Sequence, residues 1–204
     1  MNFDVEIFAE KIFVFKNIFN DTEHAIKMMD TMDNVLTEND VFKKSEPWLA
    51  SFDPNSHRYG IKRMSDKTKI NTTSPEIKEF YSNIYNSFKM AAEYYFDKLG
   101  IEYKEKYHTD IAMFKYETNK DMGPHVDDDE DGVIIPVCTG LMYLNSDKVG
   151  GDLYFKEQDV LVKAEAGTMV LFPCTKPFYH QSTLIESGIK YSIGTGWKYA
   201  INDK

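Results

Sequence analysis

The 204-residue sequence predicts an α+β fold: a jelly-roll-like barrel in its second half, with N-terminal helices packed on one face. Three observations predict it. Before Gly100 the apolar residues recur mainly at helical spacing. After Gly100, short runs rich in β-branched and aromatic residues are separated by Gly, Pro, Asn and Asp turn signals. No internal repeat and no low-complexity linker interrupts the chain, which suits one domain over residues 1–204. Within it, residues 1–100 are expected to supply helical support and loops, and residues 101–204 the barrel and any site.

Each element has its own local reason. Ile12-Phe13-Val14-Phe15 reads as a short strand. Asn20-Asp21-Thr22-Glu23 offers N-cap chemistry for a helix running to about Met32. Residues 33–73 contain Pro47, Pro54 and Gly60 among many polar residues, and are expected to form loops with one or two short strands. Ser74-Pro75-Glu76 then supplies an N-cap, a proline at the first helical position and an acid in the first turn. Ile77, Phe80, Tyr81, Ile84, Phe88, Ala91, Ala92, Tyr95 and Leu99 follow at helical spacing, and Gly100 stands where a C-terminal cap belongs. Strands are expected at Ile111–Tyr116, Val133–Leu144, Asp152–Phe155, Val160–Val162, Thr168–Phe172 and Tyr191–Trp197.

Bulk properties narrow the function classes. The formal net charge of −9 argues against broad nucleic-acid binding. Arg58, Lys62, Arg63, Lys67 and Lys69 form a local basic stretch whose simplest reading is a solvated loop or hairpin. Cys138 and Cys174 lie among apolar residues, as buried free thiols do, and two cysteines make no disulfide scaffold. The N-terminus mixes acids with its hydrophobics, unlike a signal peptide, and no stretch approaches the roughly 20 apolar residues of a membrane span. The expected location is cytoplasmic.

Two segments carry chemistry. In Gly123-Pro124-His125-Val126-Asp127, the His and Asp are two apart, a spacing that puts both side chains on one face of an extended segment. His180 is the best third ligand, at the end of a Pro173–Tyr179 connection. Two His and one carboxylate hold ferrous iron on one face and leave open positions, the ligand set of non-haem iron oxygenases. Lys190 lies farther along. It reads either as a buried cation awaiting a dicarboxylate or as an end-of-strand residue reaching solvent. His108-Thr109-Asp110 is a rival metal motif without a matching downstream pattern; His108 reads more simply as a surface or strand-edge residue. His24 and His57 read as structural or solvated. Asp127-Asp128-Asp129-Glu130-Asp131 lacks EF-hand spacing and reads as a solvated acidic turn with Asp127 facing inward. Trp48, Arg58 and Tyr59 lie in a 45–70 segment that would suit a lid, although packing or surface roles explain them more simply.

Together these segments resemble the prolyl 4-hydroxylase branch of the 2-oxoglutarate- and Fe(II)-dependent dioxygenases. Tyr116 stands nine residues before His125, as in that family. Leu141-Met142-Tyr143-Leu144-Asn145 resembles the next strand, Gly150-Gly151-Asp152-Leu153-Tyr154-Phe155 the paired-glycine turn, and Ala166–Phe172 the strand leading to the second His. The His180–Lys190 interval also matches, and the resemblance spans roughly residues 110–198. It implies a double-stranded β-helix, jelly-roll or cupin-like. It implies His125, Asp127 and His180 as catalytic iron ligands, and Lys190, Tyr116, Tyr143 and Leu153 around 2-oxoglutarate. It further implies dioxygen as co-substrate and L-ascorbate as reductant. Three features depart from the family pattern. Met122 replaces an aromatic, Trp197 follows Lys190 by seven residues rather than six, and the only arginines are Arg58 and Arg63. These bear on the peptide substrate rather than on the iron site.

The reading from sequence is therefore a dioxygenase that hydroxylates an unactivated C–H bond, with release of succinate and carbon dioxide. The preferred substrate is a prolyl residue in a protein or peptide. The alternatives are another amino-acid side chain, an alkylated nucleobase, and a non-catalytic jelly-roll protein that keeps its metal site.

Overall fold

A computed structural model describes residues 3–35, 59–63, 75–104, 108, 111–127 and 134–200. The chain opens with a hairpin, β1 (Asp4–Phe8) and β2 (Ile12–Lys16), paired from Asp4↔Lys16 to Phe8↔Ile12. Helix α1 (Thr22–Val35) starts where the Asp21 carbonyl accepts the Ala25 N–H at 3.0 Å. It runs one turn beyond the expected Met32. Helix α2 (Pro75–Lys98) begins at its proline. It ends in a Schellman motif: Gly100, at φ +67°, donates to the Asp97 carbonyl and Ile101 donates to the Phe96 carbonyl.

Seven strands form the larger sheet. They are β1, β2, β3 (Tyr59–Arg63), β4 (Ala112–Tyr116), β6 (Ile134–Tyr143), β10 (Met169–Phe172) and β13 (Lys190–Ala200), in the order β1-β2-β10-β6-β13-β4-β3. The smaller sheet orders β5 (Met122–His125), β11 (His180–Ser182), β8 (Leu153–Phe155) and β9 (Val160–Val162) as β5-β11-β8-β9. A short ribbon pairs β7 (Val149–Gly150) with β12 (Ile185–Ser187). The chain passes repeatedly between sheets, giving the expected double-stranded β-helix. Among the described residues the two ladders stay separate, so the barrel is a pair of facing sheets without hydrogen-bonded closure. The first hundred residues supply strands as well as helices. The expected strands are all present, with ends displaced by a few residues. Five further strands are present: β1, whose Asp-Val-Glu-Ile alternation was legible but not anticipated, and β5, β7, β11 and β12, which carry too few apolar residues to announce themselves. No described helix is long and apolar enough to cross a membrane.

The pleat divides the apolar residues between two cores. Phe13, Phe15, Met142, Met169, Leu171, Ile193 and Trp197 face the helices, where Phe80, Ile84, Phe88, Ala91, Ala92 and Tyr95 meet them. Their neighbours along the same strands, Ile12, Val14, Tyr143, Val170 and Phe172, face the smaller sheet with Leu153, Phe155 and Val162. The aromatic stripe of α2 is thus a core face. Gly140 admits it closely: a Cβ there would sit 3.2 Å from the Phe88 ring and 3.3 Å from Trp197. The site lies on the other side of the sheet, between the two layers.

Candidate active site

Strands β5 and β11 pair antiparallel with His125 opposite His180, so two residues distant in sequence become cross-strand neighbours. Their ring centroids are 4.3 Å apart. Asp127 lies just past the end of β5, on the same face as His125. Its carboxylate bridges the rings, with Oδ1 3.4 Å from His125 Nε2 and Oδ2 3.5 Å from His180 Nε2. One ligand atom from each of the three residues lies within 4.8 Å of the others, and they form a metal-binding group among the described residues. Each Nδ1 is engaged behind the site, His125 with the Gly123 carbonyl at 2.9 Å and His180 with the Phe178 carbonyl at 3.2 Å. Donation there puts the proton on Nδ1 and leaves a lone pair on each Nε2, the form a metal requires. The 3.4–3.5 Å separations are too long for strong hydrogen bonds, and a cation among the three atoms would satisfy all of them.

The carboxylate is held from behind as well. Thr139 Oγ1 on β6 donates to Asp127 Oδ2 at 2.7 Å. Burial alone would raise the Asp127 pKa, but His180, His125 and the Thr139 bond outweigh it and hold the carboxyl well below the usual range. Side-chain exposure falls from 25% at Asp127 to 4% at His180, so the site opens on the Asp127 side. Phe172 and Phe155 close the inner side, with ring centroids 4.6 and 5.9 Å from that of His180.

Lys190 is the first residue of β13 and stands opposite Tyr116 on β4. Its side chain is buried between the sheets, where Nζ donates to Ser182 Oγ at 2.8 Å. The Tyr116 and Tyr143 ring centroids lie 5.5 and 5.3 Å from that nitrogen. No described carboxylate forms an ion pair with it. Burial, reinforced by the charge of Lys148 and only partly opposed by Asp152, pushes its pKa down to about 7. The Tyr143 hydroxyl is buried with no hydrogen-bond partner, and burial raises its pKa so that it stays a donor. An unpaired buried ammonium beside an unsatisfied buried hydroxyl is costly unless an anion joins them. Leu153 lies opposite Ser182 on β8 and walls the same space. Ser182 is two residues from His180, on the same face of β11, a strand distance of about 6–7 Å. The residues therefore suit one metal ion and one short dicarboxylate.

The paired glycines have a geometric reason. At Gly150, φ +79°, an added Cβ would lie 1.9 Å from the Leu184 carbonyl oxygen. At Gly151, φ +74°, it would press on Lys190 Cδ at 3.1 Å. The turn thus stays bare to let the Lys190 stem pass.

All seven sequence-predicted site residues lie in this inter-sheet space or at its mouth. The rival His108 lies elsewhere. It bridges to Trp197 from the helix side, stacks edge-on against Tyr85 and Trp197 at 5.0 and 5.2 Å, and meets Thr195 Oγ1 at 3.1 Å. It is a packing residue, partly buried rather than at the surface. His24 is 3.3 Å from Asp21 at the start of α1. Cys138 and Cys174 are buried free thiols. The register of β13 runs unbroken from Lys190 to Trp197, so no bulge there absorbs the shifted tryptophan; the ladder slips only after Trp197, where Lys198 pairs with Pro136 and Val137 is the extra residue on β6. His57, Trp48, Arg58, Lys67, Lys69 and residues 128–131 lie outside the described residues, as does most of the 45–70 segment. Sequence reasoning missed Thr139 and Ser182. A hydroxyl residue two positions after a ligand His was the only available signal for Ser182, and nothing local marked Thr139.

The comparisons agree with this geometry. A family model described as the 2OG-Fe(II) oxygenase superfamily matches residues 111–199, which include every residue placed at the site above. No curated protein matches the sequence. Among solved structures, a viral collagen prolyl hydroxylase from Paramecium Bursaria Chlorella virus-1, with 2OG bound, superposes with a TM-score of 0.63 at 16% identity, over 94% of this chain and 98% of that one. A Trichoplax adhaerens prolyl hydroxylase in complex with a hypoxia inducible factor peptide fragment gives 0.62 at 15% identity, over 93% and 84%. A Phytophthora capsici prolyl 4-hydroxylase gives 0.60 at 16% identity, over 95% of this chain and 60% of that one. At these identities the likeness establishes the fold. Residues 111–199 thus match the 2OG-Fe(II) oxygenase superfamily model and carry a His-Asp-His group suited to Fe(II).

Proposed function

We propose that this protein is a 2-oxoglutarate-dependent dioxygenase of that superfamily and hydroxylates a prolyl residue in a protein or peptide, with His125, Asp127 and His180 holding Fe(II) and Lys190 receiving the distal carboxylate of 2-oxoglutarate. The observation that carries the site assignment is the His-Asp-His group facing the same inter-sheet space as a buried lysine that has no carboxylate partner among the described residues. When bound, Fe(II) with 2-oxoglutarate and dioxygen supplies the oxidising chemistry: the keto acid becomes succinate and carbon dioxide, and one oxygen atom enters a C–H bond. The protein's own residues hold, orient and shield. The Nδ1 bonds to backbone carbonyls lock both imidazoles, and Thr139 sets the carboxylate rotamer. Lys190 supplies charge, Tyr143 and Tyr116 supply hydroxyl donors, and Leu153 supplies an apolar wall. Phe155 and Phe172 keep water from the inner side of His180.

The fold shared with prolyl hydroxylases, one of them in complex with a peptide fragment, supports the prolyl substrate. L-Ascorbate would serve as the reductant that restores ferrous iron. The net charge of −9 opposes a nucleobase substrate. The intact triad with its lysine opposes a non-catalytic binding role. The insertion of β2 beside β10 in the larger sheet supports treating residues 1–204 as one domain.

The test is succinate formation from 2-oxoglutarate with Fe(II) and oxygen, for the wild type and for His125→Ala, Asp127→Ala and Lys190→Ala. Wild-type turnover with loss in the three variants is expected, and equal turnover in all four would sink the assignment. Mass spectrometry of proline-rich peptides, of peptides lacking proline and of methylated oligonucleotides then reads the substrate class. Addition of one oxygen atom confined to the prolyl residue is the expected result.

A further inference from the structure

We propose that Gly196 is the floor of the substrate cleft and sets the size of the residue that the site oxidises. The inference deepens the prolyl reading above and rests on it. Gly196 stands directly opposite Thr139 on β6, and directly opposed residues share a face of the sheet. Thr139 faces the smaller sheet, where its hydroxyl reaches Asp127 at 2.7 Å. Position 196 is therefore one cross-strand step, about 5 Å, from the residue that holds the metal carboxylate. The bulk of β13 goes the other way at this level, because Trp197 is buried in the helix-side core. The site face of the strand is thus bare beside the metal group.

Nothing in the backbone calls for glycine at this position. The positive-φ glycines among the described residues are Gly100, Gly150, Gly151, Gly167 and Gly188, so position 196 has a conformation open to any residue. Gly194, the preceding residue on the same face, has a packing reason. A Cβ there would lie 2.8 Å from Phe114 Cε2 and 3.0 Å from Leu141 Cδ2. Gly194 is buried under those two side chains, whereas Gly196 is only half-buried. A glycine inside a strand weakens it, and often marks a place where a ligand approaches the backbone closely. The site opens on this side, since the Asp127 side chain keeps 25% exposure and that of His180 only 4%. Phe114 and Leu141 bound the bare floor with an apolar step. The floor therefore suits a compact apolar ring laid against peptide backbone, which is what a prolyl residue presents.

The test reads binding and stability rather than turnover. Calorimetric titration of the anaerobic Fe(II) protein with 2-oxoglutarate bound measures affinity for a proline-rich peptide and for the same peptide with alanine in place of proline. Gly196→Ala is expected to weaken the proline-rich peptide about tenfold and Gly196→Leu about a hundredfold, the range that misfitting methyl groups produce in a fitted pocket. Affinity for 2-oxoglutarate should stay at the wild-type value. Thermal unfolding supplies the second readout. Gly196→Ala is expected to keep or raise the wild-type midpoint, because alanine restricts the unfolded chain where the folded backbone accepts it. Gly194→Ala is expected to lower the midpoint, through Phe114 and Leu141. Three results overturn the inference and leave the prolyl reading standing: wild-type peptide affinity in Gly196→Leu, an equal loss of 2-oxoglutarate affinity, or a midpoint in Gly196→Ala as low as in Gly194→Ala. A wild type that binds neither peptide, or both equally, sinks the prolyl reading and the inference with it.

Discussion

The two faces of the larger sheet are built from the same strands and do opposite things. Toward the helices, β13 sends Tyr191, Ile193 and Trp197 into an aromatic and aliphatic core with Phe88 and Phe96. Toward the smaller sheet, the same strand sends Lys190 and Ser192, both buried and polar. On β6, Cys138 and Met142 face the helices, while Tyr143 faces the other layer and Thr139 reaches Asp127. One face is packed for stability. The other keeps a buried cation, an unsatisfied phenol and a convergent ligand set, each of which costs stability in the empty protein. Alternation along a strand allows this, because a residue and its neighbour share a backbone position and occupy different environments.

Mutations should separate the faces. The largest stability effect is expected from Phe88→Ala, which removes a fully buried ring from the helix side. It should cost about 3–5 kcal/mol in denaturant unfolding while leaving the KM for 2-oxoglutarate near wild type. A changed KM without a stability loss would break the comparison.

Lys190→Met should behave in the opposite sense. It replaces a buried charge with an apolar side chain and should stabilise the empty protein by about 1–4 kcal/mol, while 2-oxoglutarate binding weakens by about two orders of magnitude. The sign follows from the folded pKa of about 7 against the ordinary 10.5. The unfolded chain binds this proton more tightly, so the penalty removed by the mutation is full below about pH 7 and fades as pH rises toward 10.5. Chemical unfolding of both proteins at about pH 6.5 and about pH 10.5, roughly the two ends of that window, reads the difference.

Thr139→Val keeps the shape and removes the donor behind Asp127. A loss of roughly 10- to 100-fold in Fe(II) affinity or activity is expected, with little change in fold stability. Unchanged metal binding would show that the His pair alone positions the carboxylate.

The smallest effect concerns pH. A bound carboxylate restores the charged form of Lys190, so binding takes up a proton above about pH 7. Affinity for 2-oxoglutarate should be full below that point and decline by up to about tenfold per pH unit above it. Lys148 and Asp152 act on the same group in opposite directions, and the Tyr116 and Tyr143 rings lie beside it. Replacement by arginine, which stays charged throughout, should flatten the profile.

Much of the architecture was legible in the residues. The stripe from Phe80 to Leu99, the Pro75 start and the Gly100 cap announced α2 because each acts within a few positions of itself. The strands at 160–162 and 169–172 carried enough β-branched and aromatic residues to be seen. Strands β5 and β11 were not, since Met122-Gly123-Pro124-His125 and His180-Gln181-Ser182 are composed for a site and not for a core. His108-x-Asp110 and His125-x-Asp127 looked alike locally; packing of His108 against Tyr85 and Trp197 sets the first histidine apart.

The residues and their spacing offered two histidines and a carboxylate for a metal, while the roles of the lysine and the two tyrosines around a co-substrate came from the family resemblance. The ligand set is a property of side chains and short spacings. Only the tertiary structure decided that His125 faces His180 across a strand pair, that Thr139 reaches Asp127 from another sheet, and that Ser182 meets Lys190 between the layers. Such contacts depend on strand register and on the distance between two sheets, which are set by the packing of the whole chain and by no segment of it alone.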